Sequence, residues 1–163
     1  MGRKAIDSNA YGSAIVYLDT GISLLEAECW QHQYDLTLNL YQAAARAAYL
    51  NAEIDRMEAL AAIIEQEVKT PLDRLELGKL KVDAYTIQDR LAEALTVGLK
   101  SMAALGIEFP QAASEADCAP ALAKVKTLIG DRQPADLAHL LTMQDSLIRE
   151  ALTLLVKLGP VTY

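Results

Sequence analysis

Leu91-Ala92-Glu93-Ala94-Leu95-Thr96-Val97-Gly98-Leu99-Lys100-Ser101, with the closing segment Leu105-Gly106-Ile107-Glu108-Phe109-Pro110, reads as one helix and its stop. Positions 91, 94, 97, 98 and 101 recur at three- and four-residue spacing, so they share one helical face. Ala94 and Gly98 are small enough to let a second helix cross closely. Gly106 suits a left-handed cap, and Phe109-Pro110 prevents continuation.

The same face occurs twice upstream, as Tyr11-x-x-Ala14-x-x-Tyr17-Leu18-x-x-Gly21 and Ile54-x-x-Met57-x-x-Leu60-Ala61-x-x-Ile64. The anchors Ala14, Met57 and Ala94 stand 43 and 37 positions apart. Each segment reads as the second helix of a hairpin, in which the anchor sits at the crossing and its neighbours plug the gap behind it. Hairpins repeated at such intervals stack into an array, and arrays of this kind usually hold partners. The expected repeat-packing residues are Tyr11, Ala14, Leu18, Gly21, Ile54, Met57, Leu91, Ala94 and Gly98.

Helical period dominates elsewhere too. A helix is expected from about Trp30 to Leu50, a break at Asn51-Ala52-Glu53, and a helix from Ile54 to Val68. Thr70-Pro71 marks a sharp start, with Thr as cap and Pro at the first position. A turn follows near Gln88-Asp89. Downstream, a helix ends at Ile129; Ser114 with Asp117 resembles a loose capping box that would put Pro120 inside it, and a start at Asp117 or Cys118 strains the backbone less. Gly130 to Pro134 reads as a loop and Asp136 to Leu141 as a short turn. The last helix is expected to start at a Thr142 cap and run from Met143 to Leu158, with Gly159-Pro160 after it. The expected fold is all-α, about eight antiparallel helices. Residues 1–110 form the hairpins, and residues 111–163 add C-terminal helices packed on them as one unit.

Composition narrows the function classes. The chain has 163 residues, 52% hydrophobic, with 8 Gly and 5 Pro, enough apolar surface for a sizeable core and few helix breakers. Its net charge of −7 and scattered Lys and Arg argue against a nucleic-acid partner. The longest purely apolar run, Ala59 to Ile64, is far too short to span a bilayer, and no signal peptide is apparent. Cys29 and Cys118 have no metal-site spacing and read as reduced, largely buried thiols. The expectation is a cytoplasmic protein without cofactor.

Three stretches carry a resemblance: Ala10 to Ile22, Ala94 to Leu99 with Leu105 to Pro110, and Gly130-Asp131-Arg132-x-Pro134-Ala135-Asp136-Leu137. The chain resembles the tetratricopeptide-like helical region of large multidomain bacterial sensor kinases, of the kind abundant in cyanobacteria. The intervals of 43 and 37 fit a degenerate array of that repeat, whose ideal period is about 34. In that family the region follows a serine/threonine kinase domain and a P-loop ATPase module. It precedes GAF-type sensor and histidine kinase modules. The resemblance implies hairpins stacked as a right-handed superhelix and a non-catalytic scaffold linking ATPase and sensor or kinase modules. A free-standing adaptor for a peptide or protein is the other reading.

Ala52 and Asp89 fall where a glycine commonly turns the repeat, and Met57 replaces the small residue at the crossing. The second hairpin is therefore expected to splay more than the others. Arg3 to Asn9 reads as the tail of a first helix whose beginning is missing, and the chain as a fragment of a longer protein.

Residues with chemistry are few. Asp136-x-x-His139 could share a helical face, but a bundle metal site needs a second such pair and further carboxylates, so no metal is expected. Gly78-Lys79 lacks the Ser or Thr and the upstream glycine of a phosphate loop and lies mid-helix. No nucleophile and base pattern is present, and no catalytic residue is expected. Of the tyrosines at helical spacing, Tyr17, Tyr41 and Tyr85 are the candidate partner contacts, because Tyr anchors interfaces well. Trp30 is expected to wedge the first hairpin against the second.

Overall fold

The computed structural model describes residues 1–109, 114–137 and 139–161. Within these residues the chain is all helix and turn, with no strand. Seven helices come first: α1 (Gly2–Asp7), α2 (Tyr11–Ser23), α3 (Cys29–His32), α4 (Tyr34–Leu50), α5 (Ile54–Glu67), α6 (Pro71–Ile87) and α7 (Leu91–Ala103). They are followed by α8 (Glu115–Ile129), α9 (Pro134–Leu137), α10 (Ser146–Leu158) and a 3₁₀ turn over Gly159–Val161.

One turn builds all three hairpins, α1–α2, α4–α5 and α6–α7. Asn9, Ala52 and Asp89 adopt left-handed backbone, with φ of 58°, 60° and 59°. The N–H of the next residue reaches back five positions: Ala10 to Ala5 O at 2.8 Å, Glu53 to Ala48 O at 2.9 Å, and Arg90 to Tyr85 O at 2.9 Å. The left-handed residue's own N–H reaches back three, completing a Schellman motif that satisfies the helix-end carbonyls. Each left-handed residue stands five positions before Ala14, Met57 or Ala94. Ala52 bears the steric cost of its β-carbon without the local hydrogen bonding that Asn and Asp offer there. Gly106, at φ 74°, closes α7 the same way, with Ile107 N–H on Met102 O.

Packing follows from residue size. Helix α4 buries Ala43, Ala44, Ala45, Ala47 and Ala48, so it is slim on two sides at once. One side meets Ala14, Ile15 and Leu18 of α2. The other belongs to a larger cluster holding Met57, Ala61 and Ile64 of α5, Leu77 and Ala84 of α6, and Trp30. This corrects the expected splay of the second hairpin: α4 and α5 meet as extensively as α6 and α7. Met57 is fully buried there because the partner helix supplies the small residues. Helix α10 lays Ala151, Leu154 and Leu158 against Leu75 and Val82 of α6 and Met102 of α7.

Several boundaries differ from expectation. The helix expected from Trp30 breaks at Gln33, leaving α3 as a separate turn. Thr70 caps α6, its Oγ accepting from Asp73 N–H, with Pro71 at the first position. Helix α8 starts at Glu115 and keeps Pro120 inside. A reciprocal capping box between Ser114 and Asp117 holds that start, at the loss of one backbone bond at Pro120. Helix α10 is capped by Asp145 rather than Thr142, because the carboxylate accepts from both Leu147 and Ile148 N–H. Cys118 is exposed, whereas Cys29 is buried. Among the described residues no core cluster contains one of α8, whose described side chains are exposed, whereas α10 packs on the array. Pro110, expected to block α7, lies outside the described residues.

Candidate interaction surface

The first helices of the hairpins, together with α10, line an open groove of about 560 Å³. Arg3 and Asp7 of α1 stand at one end, Arg46 and Tyr49 of α4 in the middle, and Lys79 and Asp83 of α6 beside Lys157 of α10 at the other. Helical spacing puts them there. Gln42, Arg46 and Tyr49 on α4, and Glu76, Lys79 and Asp83 on α6, each form a polar stripe beside the helix's buried face.

Most of the groove's charge is already paired. Lys79 Nζ donates to Glu76 and, at 2.7 Å, to Glu150, tying α6 to α10. Lys157 Nζ donates to both oxygens of Asp83 at 2.6 and 2.7 Å. Arg3 donates to Asn39 Oδ1 at 2.8 Å. Asp7 and Arg46 have no ion pair or hydrogen bond from their side chains to the described residues, which leaves both available to a ligand. Partial burial, and secondarily the nearby Asp83 charge, raises the Tyr49 hydroxyl above its usual value. It therefore stays a neutral donor at physiological pH.

The Lys79 pair shifts both partners. Burial alone would lower the Lys79 ammonium, but its bonds to Glu150 and Glu76 outweigh that and raise it. The Glu150 carboxyl is held below the usual carboxylate range, chiefly by the Lys79 hydrogen bond. Because the folded value is depressed, the stability this pair supplies is complete above the ordinary carboxylate value. It is lost as pH falls through the depressed one. Glu150→Gln should therefore melt below the parent at neutral pH, with the gap narrowing at acid pH as the carboxyl takes up its proton. Circular-dichroism melts at both pH values test this; an equal gap at both would show that the pair is not its source.

None of the three tyrosines singled out from sequence lines the groove. Tyr17 is half exposed on the outer side of α2. Tyr41 is half-buried against Trp30, ring centroids 5.2 Å apart. Tyr85 is buried under the Arg90 guanidinium, 4.2 Å from its ring centre, so a direct partner contact there is corrected to a packing role. Trp30 sits at the junction of α3, α4 and the α5–α6 link, where Lys69 Nζ donates to its carbonyl at 2.9 Å. Tyr34 donates to Asp73 at 2.8 Å across the same junction. Tyr49 was among the tyrosines at helical spacing read as packing residues, whereas Arg46 and Asp7 carried no signal beyond their place on a polar stripe.

The repeat-packing residues face more than one neighbour, Gly21 lying against Leu40 of α4 and Gly98 against α10. Ala14, Met57 and Ala94 have no exposed surface, and Leu18 is buried. Tyr11, Gly21, Ile54 and Leu91 are half-buried, and Tyr11 donates to Asn9 Oδ1 at 2.7 Å across its turn. Gly98 faces α10 so closely that a β-carbon would lie 2.5 Å from a Leu158 methyl. Lys79, at the sequence's one reminder of a phosphate loop, is inside α6. His139 is exposed, and no group of three or more His, Cys, Asp or Glu among the described residues is placed to hold a metal ion. Among those residues no helix is long and apolar enough to cross a membrane. Compared with family models, curated proteins and solved structures, the chain matches none of them.

Proposed function

We propose that this chain is a non-catalytic helical-hairpin scaffold that holds a protein segment or neighbouring domains of its own chain. One observation carries the reading. The three hairpins share one turn, and α10 adds a further helix in the row, so a continuous groove crosses the first helix of every repeat. An extended segment laid in that groove would meet Arg46, Asp7 and Tyr49, whose polar atoms await partners. Rows of packed hairpins fix the relative placement of whatever joins their ends.

The context rests on the resemblance to the tetratricopeptide-like region of multidomain sensor kinases. There the scaffold would link an ATPase module to sensor and kinase modules, and its role would be mechanical: one module's orientation is passed to the next through packed helices. The groove with its unpaired Arg46 favours the second reading, a free-standing adaptor that captures a peptide.

Reading the gene on both sides of the codons for Gly2 and Tyr163 separates the two. The expected frame runs into a P-loop ATPase upstream and sensor or kinase modules downstream. A start and a stop bracketing the chain would overturn the linking role and leave the adaptor. The purified chain is expected to turn over no ATP. Hydrolysis that disappears in a Lys79→Ala protein still melting cooperatively would overturn both readings.

A further inference from the structure

Two apolar stripes stay exposed among the described residues, and they lie on helices joined by residues 130–145 of the same chain. On α8, Cys118, Leu122, Val125 and Ile129 follow one another at intervals of four, three and four, the spacing of a helix-packing seam. Leu122 is 55% exposed, Val125 49% and Ile129 39%. On α10 the residues Ala151, Leu154 and Leu158 face the array, while Ile148, Leu152 and Val156 form a second stripe beside them. That stripe is 44%, 46% and 77% exposed. The apolar arc of α10 is thus about twice as wide as the face it buries, the pattern of a helix packed on two sides.

The position of α10 in the row says what kind of partner is missing. It packs on both α6 and α7, as α4 packs on α1 and α2 and α6 on α4 and α5. In those earlier repeats the first helix also carries an antiparallel second helix, α5 on α4 and α7 on α6. Among the described residues, that side of α10 stays exposed.

We propose that α8 is the missing helix: it closes antiparallel onto the outer stripe of α10 and completes a fourth hairpin in reversed chain order. Antiparallel alignment sets Ile129 against Ile148, Val125 against Leu152, and Leu122 against Leu155 and Val156. The two helices are matched in length, at 15 and 13 residues. The connector over residues 130–145 is longer than the roughly 2–8 residues that join antiparallel neighbours, so it reaches without strain. A second copy of the chain offers the same stripes, but tethering gives α8 an effective concentration on the order of millimolar, far above a micromolar solution of free chains. Closure also covers apolar surface that would otherwise favour association.

Disulfide trapping in the full chain tests this. With Cys118→Ser as background, Leu122→Cys and Val156→Cys should oxidise to an intrachain bond at least about tenfold faster than the control pair Leu122→Cys and Thr153→Cys, whose second position lies on the polar side. Covalent dimers as the main product would place a second copy on the stripe and overturn the proposal. Equal rates for both pairs, or no bond, would overturn it as well. A second variant reads the closure without cysteine. Val125→Asp should lower the melting temperature by roughly 5 °C if Val125 is covered. An unchanged value would mean that α8 stays off the array.

Discussion

Ala94→Trp is expected to lower stability by about 3 kcal/mol or more, a fall in melting temperature of roughly 10 °C. Ala94 has no exposed surface and lies where α7 crosses α6 and the 3₁₀ turn, among Tyr85, Val161, Leu91 and Val97. An indole there must displace the Tyr85 ring, which the Arg90 guanidinium holds from above. Arg90 is in turn anchored to Glu58 of α5 at 2.7 Å, so the disturbance would spread into the second hairpin. Thermal melts of purified protein check this. An unchanged melting temperature would show that Ala94 is not at a crossing and that the third repeat is misaligned with the others.

Gly78→Ser should cost nearly as much, and a second change should reverse it. A β-carbon at Gly78 would lie 2.2 Å from Ser101 Oγ and 3.0 Å from its β-carbon. The hydroxyl can rotate away, but the β-carbon moves only with the α7 backbone, so Gly78→Ser is expected to destabilise by about 2 kcal/mol. Adding Ser101→Gly moves the side chain across the same crossing. The new Ser can bond to the carbonyl four residues back in α6, as Ser101 now bonds to Val97 O at 2.8 Å. Most of the lost stability should return, because one helix gains a glycine and the other loses one. Failure of the double variant to recover would mean that another contact sets the α6–α7 distance.

These variants probe features of different legibility. The anchors Ala14, Met57 and Ala94, the turns at Ala52 and Asp89, the Thr70-Pro71 start and the Gly106 stop could all be read from the chain, because helix periodicity and end chemistry are local. Each depends on residues within about two turns of one another, and their chemistry carries the information. The all-α class follows from them. What the sequence obscured was which of two good local signals would prevail. Ser114 and Asp117 offered a capping box while Pro120 warned against a helix, and the box prevailed. Asp145 outcompeted Thr142 because one carboxylate satisfies two orphan N–H groups.

The groove belongs to the tertiary structure alone. Arg46, Tyr49, Lys79 and Lys157 come together only when α4, α6 and α10 pack side by side, and no local signal says which polar stripe faces another. The fate of Tyr41 and Tyr85 is likewise non-local: the same side chain anchors a partner or fills a core according to what packs over it. Even the tolerance of Met57 at a crossing was written on another helix, in the alanines of α4. Local backbone chemistry thus determined the helices, their turns and their repeat. Close packing between segments distant in the chain decided which faces were buried, which charges were paired and where a partner could lie.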